Sequence, residues 1–148
     1  MRSKVFFLSI SLFALVGISL LLTGAVYLSL GEYMPYHSRA VRMAWEELDP
    51  NFQGLILGLL KGLGSGAFVA GFATLFMVVM SLKSGPRPFI TLLPIVTVGY
   101  SALLCYATFT VSSRTPGDPP LIANILLVAT SLLGSIAHII SHRREPEE

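Results

Sequence analysis

The amino-acid sequence predicts an all-α protein, a four-helix transmembrane bundle with a short outer amphipathic helix between helices 1 and 2. Of its 148 residues, 53% are hydrophobic and only 12% are charged, whereas about 25% of the residues in a typical soluble domain are charged. Four apolar stretches each reach the roughly 20 residues that a helix needs to cross a bilayer. The connections between the last three stretches are short, which makes consecutive helices antiparallel neighbours.

The predicted spans cover about residues 5–30, 54–82, 89–111 and 121–140, so that residues 1–148 form a single integral membrane domain with an outer loop at 31–53. Backbone amides inside lipid must find partners within their own segment, and each span is therefore expected to be helical. The first apolar run is much longer than the roughly 7–15 residues of a signal peptide. We therefore expect it to be retained as a transmembrane helix.

Basic residues are unevenly divided between the two ends of the predicted bundle. Most of them fall at the end that carries both termini, and fewer fall at the opposite end. The first group is Arg2, Lys4, Lys83, Arg87, Arg143 and Arg144, and the second is Arg39, Arg42 and Arg114. Because loops rich in Lys and Arg stay on the cytoplasmic side of a membrane, both termini are predicted to be cytoplasmic.

The outer loop carries the pattern of a surface helix. Pro35 suits the first turn of a helix, and Ser38 is a second candidate N-cap. One apolar face is predicted from residues at spacings of three and four, which are Val41, Ala44, Trp45 and Leu48. Arg42 and Glu46 share the other face at a spacing that permits pairing. We expect this helix to lie at the membrane surface with Trp45 at the level of the headgroups.

The second span begins after Asp49 and Pro50, which suit an N-cap and a first helical turn. Small residues recur in it every four positions, at Gly54, Gly58, Gly62 and Gly66. Such a row lets two helix backbones approach closely and favours a right-handed crossing. It predicts close packing inside the bundle, with a homodimer interface and a hinge or pore-lining face as the alternatives.

Lys61 is the only charged residue within a predicted span. Counting back from the inner end of the second span places it at the outer interface, where its ammonium group can reach water or pair with a loop carboxylate. The functional alternative is an anion or headgroup site, or an intramembrane relay. If such a site exists, its candidate ligand-binding residues are Lys61 together with three residues of the outer loop, His37, Arg42 and Glu46.

Other polar residues suggest structural roles rather than chemistry. No metal site and no cofactor are predicted, because His37 has too few suitably spaced ligands around it, and no catalytic set is apparent. The single cysteine, Cys105, excludes a thiol oxidoreductase with a Cys-x-x-Cys pair. Asn124 is expected to hydrogen-bond between helices. His138 and His142 are expected at the inner interface.

Several short motifs stand out in the middle of the chain, and they are Met34–His37, Trp45–Leu48, Lys61–Gly62, Tyr106–Thr108, Thr115–Pro116 and Pro119–Pro120. Together they resemble an uncharacterised family of small bacterial four-span inner-membrane proteins. The resemblance covers about residues 33–120 and implies a bacterial inner-membrane location with these motifs on the outer side, but it implies no activity. The sequence does not resemble the small multidrug-resistance exporters, whose first span carries a glutamate.

Three functions remain open from the sequence. The first is a non-enzymatic packing or partner-binding protein that contacts the lipid bilayer and either a second copy or another membrane protein, and no nucleic acid. The second is a small transporter or channel subunit that uses Lys61. The third is an enzyme acting on a lipid headgroup at the outer leaflet through His37, Arg42 and Glu46.

Overall fold

The computed structural model describes residues 3–84, 89 and 91–143, and these residues form an all-helical bundle. Its elements are α1 (Lys4–Ser29), α2 (Pro35–Val41), a 3-10 turn (Trp45–Glu47), α3 (Pro50–Ser84), α4 (Leu92–Arg114) and α5 (Leu121–Arg143). The helices α1, α3, α4 and α5 are each long and apolar enough to cross a membrane. The predicted all-α class with four spans is therefore confirmed.

The helix starts follow local capping chemistry. The backbone N–H of Phe6 donates to Ser3 Oγ at 3.2 Å, which closes the first turn of α1. The backbone N–H of Asn51 donates to Asp49 Oδ1 at 2.8 Å, and α3 begins at Pro50 as the sequence predicts. With 35 residues, α3 is about 52 Å long. Of the basic residues used to predict orientation, Arg2, Arg87 and Arg144 lie outside the described residues.

The first helix is the centre of the bundle. It packs antiparallel against α3 along most of its length and also against α5, while α4 packs mainly on α5 and less closely on α3. One core cluster lies towards the end that carries the termini, and it consists of Phe6, Ile10, Phe13, Met77, Val78 and Leu93. Many other large apolar side chains point outward, as expected for helices whose outer faces contact lipid.

Glycines bring the backbones of α1 and α3 into contact. A Cβ added to Gly24 would lie 2.4 Å from the backbone nitrogen of Phe68, and one added to Gly71 would lie 2.7 Å from the carbonyl oxygen of Gly17. A Cβ added to Gly64 would lie 2.8 Å from Tyr27 Cβ in the last turn of α1. The glycines are seven residues apart in each helix, at 17 and 24 and at 64 and 71. A seven-residue step rotates only about 20° around a helix, so each pair stays on one face.

Three of the four glycines in the predicted packing row of α3 contact no other helix of the described chain. In the described part of the chain, no atom beyond the adjoining backbone of α3 lies within 4 Å of a Cβ added to Gly54, Gly58 or Gly62, whereas one added to Gly66 would lie 3.1 Å from the hydroxyl of Tyr100 on α4. The reason is geometric, because each four-residue step advances about 40° around the helix. The row therefore winds around α3, and only its last member reaches a neighbouring helix.

The helix of the outer loop is shorter than the sequence predicts. Met34, not Ser38, is its N-cap, and it ends where Arg42 adopts a left-handed conformation with φ of 57°. The chain reversal lets the hydroxyls of Ser38 and Tyr33 both donate to the carbonyl oxygen of Met43. The expected helix through Trp45 is therefore absent, and so is the helical spacing that would pair Arg42 with Glu46.

His138, which the sequence places near the inner interface, is buried between α5 and α1. Its side chain has no exposed surface. Its Nδ1 lies 3.2 Å from Ser9 Oγ of α1, and its ring packs edge-on against Phe13. Because α5 continues to Arg143, His138 is more than one turn inside the bundle.

Candidate functional site

The loop between α1 and α3 folds over one end of the bundle, opposite the termini. Within it, α2 rests on the connection between α4 and α5. A Cβ added to Gly117 of that connection would lie 2.9 Å from both Ala40 Cβ and the carbonyl oxygen of Tyr36. Only glycine permits this approach without a shift of the backbone. Gly117 therefore allows α2 to contact the connection between α4 and α5.

Two tyrosines join the loop to the first helix. The hydroxyl groups of Tyr27, in the last turns of α1, and Tyr36, in α2, are hydrogen-bonded at 2.5 Å. Burial, reinforced by this hydrogen bond, raises the pKa of Tyr36 above its usual range. The Tyr36 hydroxyl therefore stays protonated at neutral pH. The single hydrogen bond between the two hydroxyls uses one of their protons and leaves the other free to reach a further acceptor.

His37 stabilises the start of α2. The backbone N–H of Met34 donates to His37 Nδ1 at 3.1 Å, which requires a ring that is unprotonated at that nitrogen. The imidazole packs against the ring of Tyr36, with 3.9 Å between ring centroids. Burial lowers the pKa of His37. The residue is therefore a neutral capping group at neutral pH.

A cavity of about 370 Å³ lies under α2, with walls from α1, α4 and α5. Asn124 Nδ2 donates to Thr108 Oγ1 at 2.6 Å across its α4–α5 wall, which confirms the predicted interhelical hydrogen bond of Asn124. Tyr27 and Tyr36 form part of its boundary near the loop. The cavity is thus mostly apolar with a few polar groups near one end, as is usual for small-molecule sites.

A smaller cavity, of about 100 Å³, lies between α2, α3 and α4. His37 contributes to its lining together with Leu60 and Leu63 of α3. It shares Tyr27 and Tyr36 with the larger cavity. The tyrosine pair therefore separates two spaces beneath the same loop.

Of the four candidate ligand-binding residues, only His37 lines one of the two cavities described above. His37 lines the smaller cavity, while Arg42, Glu46 and Lys61 are exposed and line neither of the two cavities. Among the described residues, no group of three or more His, Cys, Asp or Glu side chains is placed to hold a metal ion.

Sequence reasoning missed Tyr27, Tyr36 and Thr108 as members of a cavity. No periodicity marks them, because they come from three helices and meet only in the fold. The motifs Met34–His37 and Tyr106–Thr108, on which the family resemblance rests, do include Tyr36 and Thr108. Those motifs were therefore the available signal, although they did not indicate that the two residues line one space.

Comparison of the chain with protein-family models, with curated proteins and with solved structures gave no match. The resemblance to small bacterial four-span proteins therefore stays a prediction.

Proposed function

We propose that this integral membrane protein is a non-enzymatic partner-binding protein and that it pairs with a second copy of itself through the part of α3 nearest the loop. In this proposal the protein lies in a bacterial inner membrane with both termini in the cytoplasm, as the distribution of basic residues favours. The paired surface then lies on the outer side.

The observation that carries the proposal is the length of α3 beyond α1. Gly64 lies beside Tyr27 and Leu28 in the last turns of α1. The preceding part of α3, residues 50–63, therefore extends about 20 Å past the end of its main packing partner. Apolar side chains on this segment are left uncovered, because Leu55 is 59% exposed and Leu59 is 66% exposed.

The open glycines lie beside these leucines on the same uncovered side of α3. Because no atom of the described structure approaches Gly54, Gly58 or Gly62, a second helix can contact the backbone there. Glycines spaced by four let two helix backbones approach closely in a right-handed crossing. In a dimer with two-fold symmetry, both copies contribute the same surface to the contact. The glycine row of each copy then packs between the leucines of its partner.

Lys61 is compatible with this pairing. It follows Gly54 by seven residues and so lies about 20° from it around the helix, on the side of the row away from the leucines. Its ammonium group is exposed and can extend from the edge of the contact towards water or headgroups. Two copies therefore do not bury their lysines against each other.

Disulfide trapping in membranes tests the proposal. The Cys105→Ser variant removes the single cysteine, and Gly58→Cys then introduces a thiol on the proposed surface. We expect rapid formation of a covalent dimer by Gly58→Cys under mild oxidation. Gly99→Cys, on α4, is the matched control because its Cβ position is also open, and it should remain monomeric.

A second measurement separates close association from random collision. Native mass spectrometry from membranes should show a dimer for the wild type and for Gly99→Leu, and a monomer for Gly58→Leu. A wild-type protein that is monomeric in this measurement, or equal disulfide trapping at positions 58 and 99, would rule out the proposed pairing.

The other two hypotheses have less support. A transporter would use Lys61, but this residue lines neither cavity. A headgroup enzyme would need His37, Arg42 and Glu46 around one pocket, whereas His37 alone of the three lines one of the cavities and caps a helix with its ring nitrogen.

A further inference from the structure

We infer that the larger cavity binds an uncharged membrane amphiphile whose head carries a free hydroxyl group, such as diacylglycerol. This site is separate from the proposed pairing surface, because its walls come from α1, α2, α4 and α5 and not from α3. Either proposal can therefore fail without the other.

The mouth of the cavity faces the region occupied by lipid. Leu22 is 59% exposed and Val26 is 46% exposed on α1, and Ala123 on α5 is also exposed. All three line the cavity and belong to helices long and apolar enough to span the bilayer. A ligand can therefore enter sideways from the bilayer between α1 and α5, without passing through water.

The lining determines the charge of the ligand. The described residues around the cavity include no Asp, Glu, Lys, Arg or His. An ionised phosphate or carboxylate placed there would lose its hydration without gaining a charged partner, at a cost of several kcal/mol. The part of the ligand that enters must therefore be neutral, which disfavours a phospholipid head and a fatty-acid carboxylate.

The polar groups of the lining favour a hydroxyl. One proton of the Tyr27–Tyr36 pair remains available to an acceptor, because their mutual hydrogen bond uses only one of the two. The side-chain oxygen of Asn124 accepts no hydrogen bond from the described residues, since its amide nitrogen makes the contact with Thr108. A ligand hydroxyl can both accept from the tyrosine pair and donate to Asn124, whereas an ester carbonyl can only accept and so cannot bond to the Asn124 oxygen.

The size of the cavity fits the head of such a lipid rather than the whole molecule. Its volume of about 370 Å³ is near the lower limit of small-molecule pockets, which run from about 300 to 1,000 Å³. The glycerol group and the first part of a chain fill this space. The rest of the acyl chains then remain in the bilayer beside Leu22 and Val26.

Photolabelling of the full chain in phosphatidylcholine vesicles tests this inference. Three probes carry the same photoactivatable acyl chain, as diacylglycerol, as phosphatidylcholine and as a free fatty acid. We expect diacylglycerol to label the segments 22–27 and 120–124, and unlabelled diacylglycerol to compete. The 3-acetyl ester of diacylglycerol, which lacks the hydroxyl, should compete at least about fivefold more weakly, since one hydrogen bond contributes about 1 kcal/mol.

Two variants with one control connect the labelling to the cavity. Ala123→Phe fills the mouth and should reduce labelling at least about fivefold, whereas Ala129→Phe, at another exposed position of α5, should not change it. Asn124→Leu keeps the side-chain size but removes the oxygen that accepts from the ligand hydroxyl, so it should reduce labelling by about the same factor. Thr108 keeps its hydrogen bond to the carbonyl oxygen of Leu104 in this variant. The Asn124 variant decides the matter if the Ala123 variant does not fold.

Three results would overturn the inference. Equal labelling by the three probes would mean that they react only as part of the lipid around the protein. Equal competition by the acetyl ester would mean that the ligand hydroxyl does not contribute to binding. Unchanged labelling in a folded Asn124→Leu variant would remove the role of the cavity. Gly58→Leu should leave labelling unchanged, which keeps this test independent of the proposed pairing through α3.

Discussion

Replacing Gly24 by alanine tests the contact between α1 and α3 most directly. The new Cβ would lie 2.4 Å from the backbone nitrogen of Phe68 and 2.7 Å from the carbonyl oxygen of Gly64. Ordinary contact begins at 3.4 Å, so the two helices must separate by about 1 Å. The atoms that clash belong to the backbone of α3, and no side-chain rotation can relieve the overlap.

The expected loss of stability is about 2 kcal/mol. Overpacking of a well-packed interior costs about 1–3 kcal/mol, and a gap of about 1 Å weakens the other van der Waals contacts along the interface. Alanine recovers up to about 1 kcal/mol through its better helix propensity. Because the α1–α3 contact is the most extensive in the bundle, we expect the loss to exceed the gain.

The assay is unfolding in mixed micelles with increasing sodium dodecyl sulfate, followed by near-ultraviolet circular dichroism. Gly99→Ala is the control, because a Cβ there meets no atom within 4 Å. We expect Gly24→Ala to unfold at a lower detergent fraction than the wild type and Gly99→Ala to unfold at the same fraction or a higher one. Equal stability of Gly24→Ala and the wild type would refute the contact.

Three further predictions concern the loop and the α4–α5 contact. Gly117→Ala should detach α2 and speed tryptic cleavage of the loop, whereas Gly31→Ala, at an open position, should not; equal rates would contradict the close approach. Ser101→Ala removes a buried interhelical hydrogen bond and should cost about 0.6 kcal/mol in the same detergent titration; a loss above about 2 kcal/mol would contradict this view. Because burial lowers the pKa of His37 below 6.5, the unfolded loop binds more protons, so its stability is complete above about pH 6.5 and falls as the pH drops below this value. The fluorescence of the single tryptophan should report that change, and the change should vanish in His37→Asn but persist in His142→Asn.

The positions of the spans were predictable from composition alone. Hydrophobic length locates helices in a bilayer because the backbone has no other way to satisfy its hydrogen bonds there. Pro35 and Asp49 marked helix starts correctly because capping is a local interaction. The loop helix was predicted too long because its periodicity continues through Arg42, where the backbone reverses. Contacts made by Tyr33 and Ser38 with Met43 decide that reversal.

The glycine contacts show where sequence reasoning stops. The four-residue spacing in α3 is the more regular pattern, yet the glycines of the α1–α3 contact are seven residues apart. A glycine pattern within one helix identifies a face without large side chains, but it does not show which neighbouring helix packs against that face. That choice depends on the facing pattern in α1, where Gly17 and Gly24 carry the matching interval.

The sequence by itself determined that the chain has four helices long and apolar enough to cross a membrane, and that helices begin at Pro35 and Pro50, because these properties depend on apolar length and on neighbouring residues. Only the tertiary structure decided which glycines touch, that His138 is buried, and that Tyr27, Tyr36, Thr108 and Asn124 enclose one cavity. Those groups lie on separate helices, and their distances depend on how the helices are rotated and packed against one another. Uncharged polar side chains from separate helices therefore form the proposed ligand site.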